Sequence, residues 1–328
     1  MQRKKIFSIL SVVLCATVLT ACGGDQRVTF SEYWQKNPDS LQNGTEILTY
    51  AVEHTPDDRL GYNYSVAYSN GVYTTKLTRE IENNAAVFTY ETSLTIKVTY
   101  KIGNDTLTFD DYTKSKVIMQ DVGHGLAPVS SEKDMYNHLL PNKNVESIND
   151  FKSLVSDYKI TTTYGDTNKS VVQSRQLKNP QDPSEGYKFA AQELSFTRDA
   201  NYTYLDNDQL LFALRGVNSV LTTSATFEAY APFSAEMQKI SATFSKAETG
   251  DFEFAIEGGT KTKYEIHYYP VSMTIQASNS RETQTLKIAK FVADSDNTFR
   301  NVVLEWTDPI HYSHGSLVYK LTDANFIG

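Results

Sequence analysis

Between Phe88 and Ile102 the chain alternates with a period of two. Phe88, Tyr90, Leu94, Ile96, Val98, Tyr100 and Ile102 fall on one side of an extended backbone, and Thr89, Glu91, Ser93, Thr95, Lys97, Thr99 and Lys101 fall on the other. One apolar and one polar side is the pattern of an antiparallel sheet that packs on a core with one face and meets water with the other. A strand of about fifteen residues would run roughly 50 Å, well past the usual length, and a strand that long twists and coils. The expected fold is therefore mainly β, of the α+β class, built on long curved antiparallel sheet. Upstream, Tyr62-Asn63-Tyr64-Ser65-Val66-Ala67-Tyr68 alternates in the same way. Asn70-Gly71 follows, a pair favoured in two-residue hairpin turns, which predicts a partner strand over residues 72–79. Gly103-Asn104 predicts a turn into a further strand over residues 106–119.

The middle of the chain reads differently. Ser131 precedes a stretch over residues 132–140 that stops at Pro141, and Ser147 precedes Ile148, Phe151, Val155 and Tyr158 at helical spacing. Asp206 with Gln209 three residues on has the form of a capping box, and Leu210, Leu211, Ala213 and Leu214 lead to Gly216 as a stop. A few short amphipathic helices are expected here. From residue 222 the β pattern resumes through Asp251-Phe252-Glu253-Phe254, a turn at Gly258-Gly259, and stretches at 264–269, 271–278, 283–292, 302–306 and 316–321. Ser93-Leu94-Thr95-Ile96-Lys97-Val98-Thr99 reads like Ser272-Met273-Thr274-Ile275-Gln276-Ala277-Ser278. Two similar β halves, at about 45–125 and 222–325, joined by a helical middle would explain that, and so would the shared physics of alternating strands.

The N-terminus is of another kind. Arg3, Lys4 and Lys5 precede an apolar run over residues 6–19; a membrane helix wants roughly 20 apolar residues, so the run reads as an export signal. Leu19-Thr20-Ala21-Cys22 then resembles the lipobox of bacterial lipoproteins. The resemblance implies that residues 1–21 are a signal peptide and that Cys22 is the lipid-bearing first residue of the mature chain. It implies a lipidated tether over residues 22–28 at the outer face of the cell membrane; the strand pattern then makes residues 29–328 a β-rich extracytoplasmic body. A diacylglyceryl group supplies the two chains that stable anchoring needs, and Gly23 and Gly24 suit a flexible tether. The plain alternative is an ordinary secretory signal with a cysteine at its end.

Cys15 would leave with the signal, so Cys22 would be the last cysteine, its sulfur taken by lipid. That excludes an internal disulfide, a thiol nucleophile and a cysteine-based zinc site. Loss of Arg3, Lys4 and Lys5 lowers the basic residues from 31 to 28 against 39 acidic ones, and the net charge from −8 to −11. Such a surface disfavours nucleic acid and anionic lipid.

No short motif assigns catalysis. Gly123-His124-Gly125 lacks the third glycine of a dinucleotide loop, and Gly258-Gly259-Thr260-Lys261 lacks the spacing of a phosphate loop. Asp206-Asn207-Asp208 and Asp294-Ser295-Asp296-Asn297 lack the glycine and terminal glutamate of a calcium loop; they read as a helix cap and polar turns. The densest polar cluster is Glu305, Trp306, Asp308, His311 and His314. Two imidazoles with nearby carboxylates suit zinc, copper or nickel if the loop folds back on itself, whereas the plainer reading is a turn at Asp308-Pro309 closed by Gly315. On that plainer reading no catalytic residue, metal or cofactor is expected, and Cys22 is the one assigned site.

Three functions follow. The leading expectation is non-catalytic binding of an apolar ligand or a partner, the ligand lying on the concave side of the sheet; this resembles, in architecture and address, the half-barrel lipoprotein carriers of bacterial envelopes. A surface adhesin or glycan-binding protein would use exposed members of the 21 tyrosines. An envelope hydrolase would need only a carboxylate pair, which leaves no short signature. An enclosed apolar pocket, an exposed aromatic platform or converging carboxylates would separate them.

Overall fold

The computed structural model describes residues 44–57, 61–82, 85–122, 125–165, 169–178, 189–217, 223–290 and 301–327. The first half is a meander of β1 (Thr45–Thr55), β2 (Ser65–Glu82), β3 (Ala85–Ile102), β4 (Asp105–Val122), β5 (Gly125–His138), β6 (Val155–Tyr164), β7 (Ser170–Leu177) and β8 (Phe189–Ser195). Then come β9 (Thr203–Asp206) and a six-residue helix α1 (Leu210–Arg215). The second half holds β10 (Ser224–Ala231), β11 (Glu236–Phe244), β12 (Glu248–Ile256), β13 (Thr262–Gln276), β14 (Arg281–Ala289), β15 (Val303–Pro309) and β16 (Ser316–Ile327). All these strands belong to one sheet, in the order β8-β7-β6-β5-β4-β3-β2-β1-β16-β15-β14-β13-β11-β10-β9, with β12 paired to β13 and β16. The stretches 45–125 and 222–325 thus meet where β1 runs beside β16, from Thr45 opposite Ile327 to Thr55 opposite Ser316.

The sheet curls on itself in two ways. Strands β12, β13, β14, β15 and β16 form a ring closed by backbone hydrogen bonds, because Ala255 and Ile256 pair in parallel with Asp323 and Ala324 beyond the point where β15 leaves β16. Side chains, not a backbone ladder, draw the opposite end of the sheet together. Tyr164 donates its hydroxyl hydrogen bond to Asp206, and Gln173 Nε2 and Arg175 Nη2 donate to the carbonyl of Pro232 at 3.0 and 3.2 Å. A small core of Tyr164, Val171, Tyr204 and Tyr230 with Leu194 and Phe196 fills this seam.

Inside, α1 occupies the concave side. Leu210, Phe212, Ala213, Leu214 and Arg215 are all buried; Phe212 packs on Phe88 and Tyr90. Arg215 makes a two-pronged pair with Glu46 at 2.6 and 2.8 Å, both side chains being inaccessible. Its Nε also reaches the carbonyl of Asn301, whose amide answers to the carbonyl of Arg215. The capping box at Asp206 and Gln209 is present as expected, and Gly216 ends the helix.

Several expectations are corrected. The helix expected over residues 132–140 is strand β5: two ladders, to β4 and β6, outweigh the helix preference of Glu132, Lys133 and Met135. The helix expected from Ile148 is one 3₁₀ turn, Ile148–Lys152, capped by Ser147 and Asp150, and it ends once Phe151 is in the core; Val155 and Tyr158 belong to β6. The middle is therefore mostly strand, with α1 as its one α-helix among the described residues. Asn70-Gly71 is a bulge inside one continuous β2, not a hairpin turn: pairing with β3 steps from Ser69 opposite Lys97 to Val72 opposite Thr95. Asn70 takes φ 51°, and a Cβ on Gly71 would lie 2.6 Å from that of Val52. The stretches expected at 264–269 and 271–278 are one strand, β13, which changes partner from β12 to β11 around Pro270.

Candidate functional site

The C-terminal end of β1 marks one rim of the barrel-like sheet, where residues 56–57 and 61–64 and the connections at 103–104, 139–154, 277–280 and 310–315 gather. Two adjacent grooves open there, sharing Pro56 and Asp57 as walls. One, of about 680 Å³, is lined by Asp57, Arg281, Glu282, His311 and Tyr312 among others. The other, of about 410 Å³, is lined by Asp57, Tyr62, Tyr64, Lys101 and His314 among others.

Short-range chemistry builds this rim. The turn after β15 closes through Ile310 N–H to the carbonyl of Gly315 at 2.8 Å. Gly315 sits at φ +97°, and a Cβ there would come within 2.0 Å of the carbonyl of Thr55, so only glycine lets the turn rest on the end of β1. Tyr312 is held at φ 58°, ψ 28°, a region that costs a side-chain-bearing residue about 1–2 kcal/mol, and its ring stands 48% exposed. Tyr62 and Tyr64 stack at 5.5 Å, and Tyr62 stacks on His314 at 5.6 Å. Phe151 backs Tyr64 from the core and lies flat on Tyr100 at 3.9 Å. The amide of Asn63 bonds the backbone of Val145 in both directions, which pins the tyrosine pair in place.

Hydrogen bonds settle the histidine tautomers. Tyr64 donates its hydroxyl proton to the carbonyl of Pro141 at 2.6 Å, so its oxygen accepts from His314 Nε2–H at 2.9 Å. The same logic gives His54 a proton on Nε2, donated to the carbonyl of His314, and leaves its Nδ1 to accept from Tyr68 N–H just before the bulge in β2. Burial, helped by His54, holds the His314 pKa below the ordinary value, so the ring is neutral near pH 7. At the larger groove Asp308 is hydrogen-bonded to Glu282, and burial together with that neighbour raises its pKa well above the usual carboxylate range; Gln284 donates to it at 2.8 Å.

The cluster read from the sequence is divided by the strand period. Trp306 points inward and lies flat on Tyr319 at 3.7 Å, Glu305 points outward to Lys287 at 2.7 Å, and Asp308 points inward to Glu282. His311 is exposed on the turn while His314 turns in toward Tyr64, so the two imidazoles do not converge. Among the described residues no group of three or more His, Cys, Asp or Glu is placed to hold a metal ion. Asp206-Asn207-Asp208 is a helix cap, its Asp208 paired with Lys133 at 2.8 Å. Gly258-Gly259 forms the expected hairpin turn, Gly258 at φ 68°. Cys22, Gly123-His124 and Asp294-Ser295-Asp296-Asn297 lie outside the described residues.

Sequence reading missed Tyr62, Tyr64, His54 and Asp57 as parts of the site. The signal available was Gly61 followed by two tyrosines, which reads equally well as the start of a strand. Also unforeseen is a buried Asp–His pair: His138 bonds Asp111 through Nδ1 at 2.6 Å and through its backbone N–H at 2.8 Å. His138 Nε2 is buried without a hydrogen-bond partner among the described residues, so no hydroxyl stands where a nucleophile would.

No family model matches the chain, and no curated protein matches it. Among solved structures it is similar to a β-barrel-like protein of a domain of unknown function, DUF1849, from Brucella abortus, at 10% identity and a TM-score of 0.48, over 87% of this chain and 98% of that one.

Proposed function

We propose that the chain is a lipid-anchored extracytoplasmic binding protein that holds a saccharide at the rim without transforming it. The observation that carries this is the half-buried Tyr62 ring, locked by stacking on buried Tyr64 and His314, at the edge of a groove that also presents Asp57 and Lys101. A pyranose has an apolar C–H face, which lies on such rings, and a hydroxyl edge, which carboxylate and ammonium groups bind. Rings already locked by packing lose little entropy on binding. The expected apolar ligand is supported less well: the grooves have polar walls, and α1 with its aromatic neighbours fills the concave side. A second reading, a hydrolase, has the Glu282–Asp308 pair in its favour; against it, glycosidase carboxylates stand roughly 5 to 10 Å apart, and these two are in hydrogen-bond contact.

The test is a panel of neutral and acidic oligosaccharides screened against the purified protein, followed by calorimetric titration of those that bind. Tyr62→Ala and Tyr312→Ala should each weaken binding about tenfold, roughly 1.4 kcal/mol, with the unfolding midpoint of Tyr312→Ala unchanged. Binding of no saccharide, or undiminished binding by the double variant, would reject the proposal; release of shortened sugars would favour the hydrolase.

A further inference from the structure

We infer that the two rim grooves take one linear acidic saccharide, which runs from Tyr62 past Asp57 to Tyr312 and has its carboxylates met by Lys101 and Arg281. This rests on the saccharide reading above and deepens it to chain length and charge. The grooves are neighbours, with Pro56 and Asp57 in the wall of both. Clefts of about 300–1,000 Å³ take a drug-sized ligand, and at about 680 and 410 Å³ each groove falls in that range by itself. A single sugar is smaller than such a ligand and leaves one groove empty. A chain of sugars fills both.

Aromatic surface continues across the boundary. In the smaller groove Tyr62 is half-buried on its stack; in the larger, Tyr312 is exposed, with the His311 ring beside it at 6.3 Å. The Tyr64 phenol, whose pKa burial raises most, is raised further by Tyr62 and by Tyr312, so the Tyr312 ring stands near the tyrosine pair of the other groove.

Charge points to an acidic chain. Lys101 in the smaller groove and Arg281 in the larger are exposed, and among the described residues neither side chain makes an ion pair or a hydrogen bond. The carboxylates of the grooves are engaged: Asp57 has a partner, and Glu282 is hydrogen-bonded to Asp308. An anionic ligand therefore meets two cations with nothing to displace, whereas a cationic one would have to break existing contacts. Arg281 offers a planar fork to a carboxylate, and Lys101 a point charge. Lys101 lies at the end of β3 and Arg281 opens β14, five strand steps away in the sheet. That is about 24 Å along the curved sheet and less across the rim, so a short chain can touch both. The net charge of −8 opposes such a ligand only weakly at physiological ionic strength, where exposed charges are screened beyond about 8 Å.

The experiment titrates the full protein calorimetrically with dimers and hexamers of galacturonate, glucuronate and mannuronate, each as free acid and as methyl ester. In at least one series the acid hexamer should bind about tenfold more tightly than the acid dimer and than its own ester, and added salt should weaken it. Lys101→Gln and Arg281→Gln, surface changes verified by matching unfolding midpoints, should each lower the affinity of the acid hexamer about tenfold and shrink its preference over the ester. Tyr62→Ala should weaken acid and ester alike. Equal binding of dimer and hexamer or of acid and ester, an acid preference that survives both Gln substitutions, or binding of neutral saccharides alone overturns this inference and leaves a saccharide at the rim standing. If no saccharide binds, neutral or acidic, the saccharide reading falls and this inference with it.

Discussion

Ile96 and Thr95 are neighbours in β3 with opposite fates. Ile96 is 6% exposed in the main core, and its Cδ1 lies 3.0 Å from where a Cβ on Gly71 would be; Thr95 faces water. Removing the Ile96 side chain takes away buried methyl groups and leaves a hole that rigid β-strands close poorly, so Ile96→Ala should cost about 2–5 kcal/mol. Thr95→Ala should change stability by no more than about 0.5 kcal/mol. Denaturant midpoints of the two variants check this, and similar losses would mean that the alternation of β3 is misassigned. The alternation was legible in the sequence because it depends only on a period of two and on which residues water rejects. Leu94 shows the limit of such reading: it follows the pattern and yet is only half-buried, because burial depends on what the rest of the chain brings over it.

At the level of the element, Asp206 joins local and distant structure. It caps the 3₁₀ turn Asn207–Gln209 that leads into α1, accepts from Asp208 N–H at 2.7 Å and from the Tyr164 hydroxyl across the seam, and is completely buried. Burial foremost, then the nearby charge of Asp208, pushes its pKa up to about 6. A carboxyl whose folded pKa is raised is fully stabilising only below its unfolded value, about 3.9, and that contribution is lost as pH rises through the folded value. Wild-type stability should therefore fall by roughly 2 kcal/mol between pH 4 and pH 7 from this group. Asp206→Asn keeps an oxygen for the cap but cannot ionise, so its profile should be flatter by that amount. Chemical denaturation of both proteins across that range decides it, and parallel profiles would remove Asp206 as the cause. The cap could be read from the sequence because Asp206 and Gln209 lie three residues apart. Its partner Tyr164 could not, since nothing local ties residue 164 to residue 206. Strand β5 was misread for a related reason. Glu132, Lys133 and Met135 favour helix in isolation, and only the pairing of both edges, with Lys133 finding Asp208 inside, makes a strand the better solution.

The molecule as a whole depends on contacts of very long range. Strand β1 pairs with the last strand, Glu46 meets Arg215, and the seam joins β6 and β7 to β9 and β10. None of these is written in a motif; each is a choice among many possible strand neighbours. The β-rich class and the long curved sheet could be read from sequence, whereas the ring, the seam and the plug of α1 could not. The site shows the same division. The density of polar residues at 305–314 pointed to the right end of the molecule, but the strand period scatters those residues, and Tyr62 and Tyr64 complete the groove from residues 250 positions away. What the account claims at this scale is that ligand meets the protein at the rim, against the Tyr62–His314 stack. Aromatic and imidazole NMR spectra of the protein, recorded while a saccharide from the screen is titrated in, test that claim most directly. The account predicts that the resonances of Tyr62, Tyr64, Tyr312 and His314 shift together and saturate at one affinity, while those of Tyr112 and Tyr136 on the β4–β5 outer face stay fixed. Shifts confined to Tyr112 and Tyr136, or to Phe212 and the interior, with the rim silent, would contradict it.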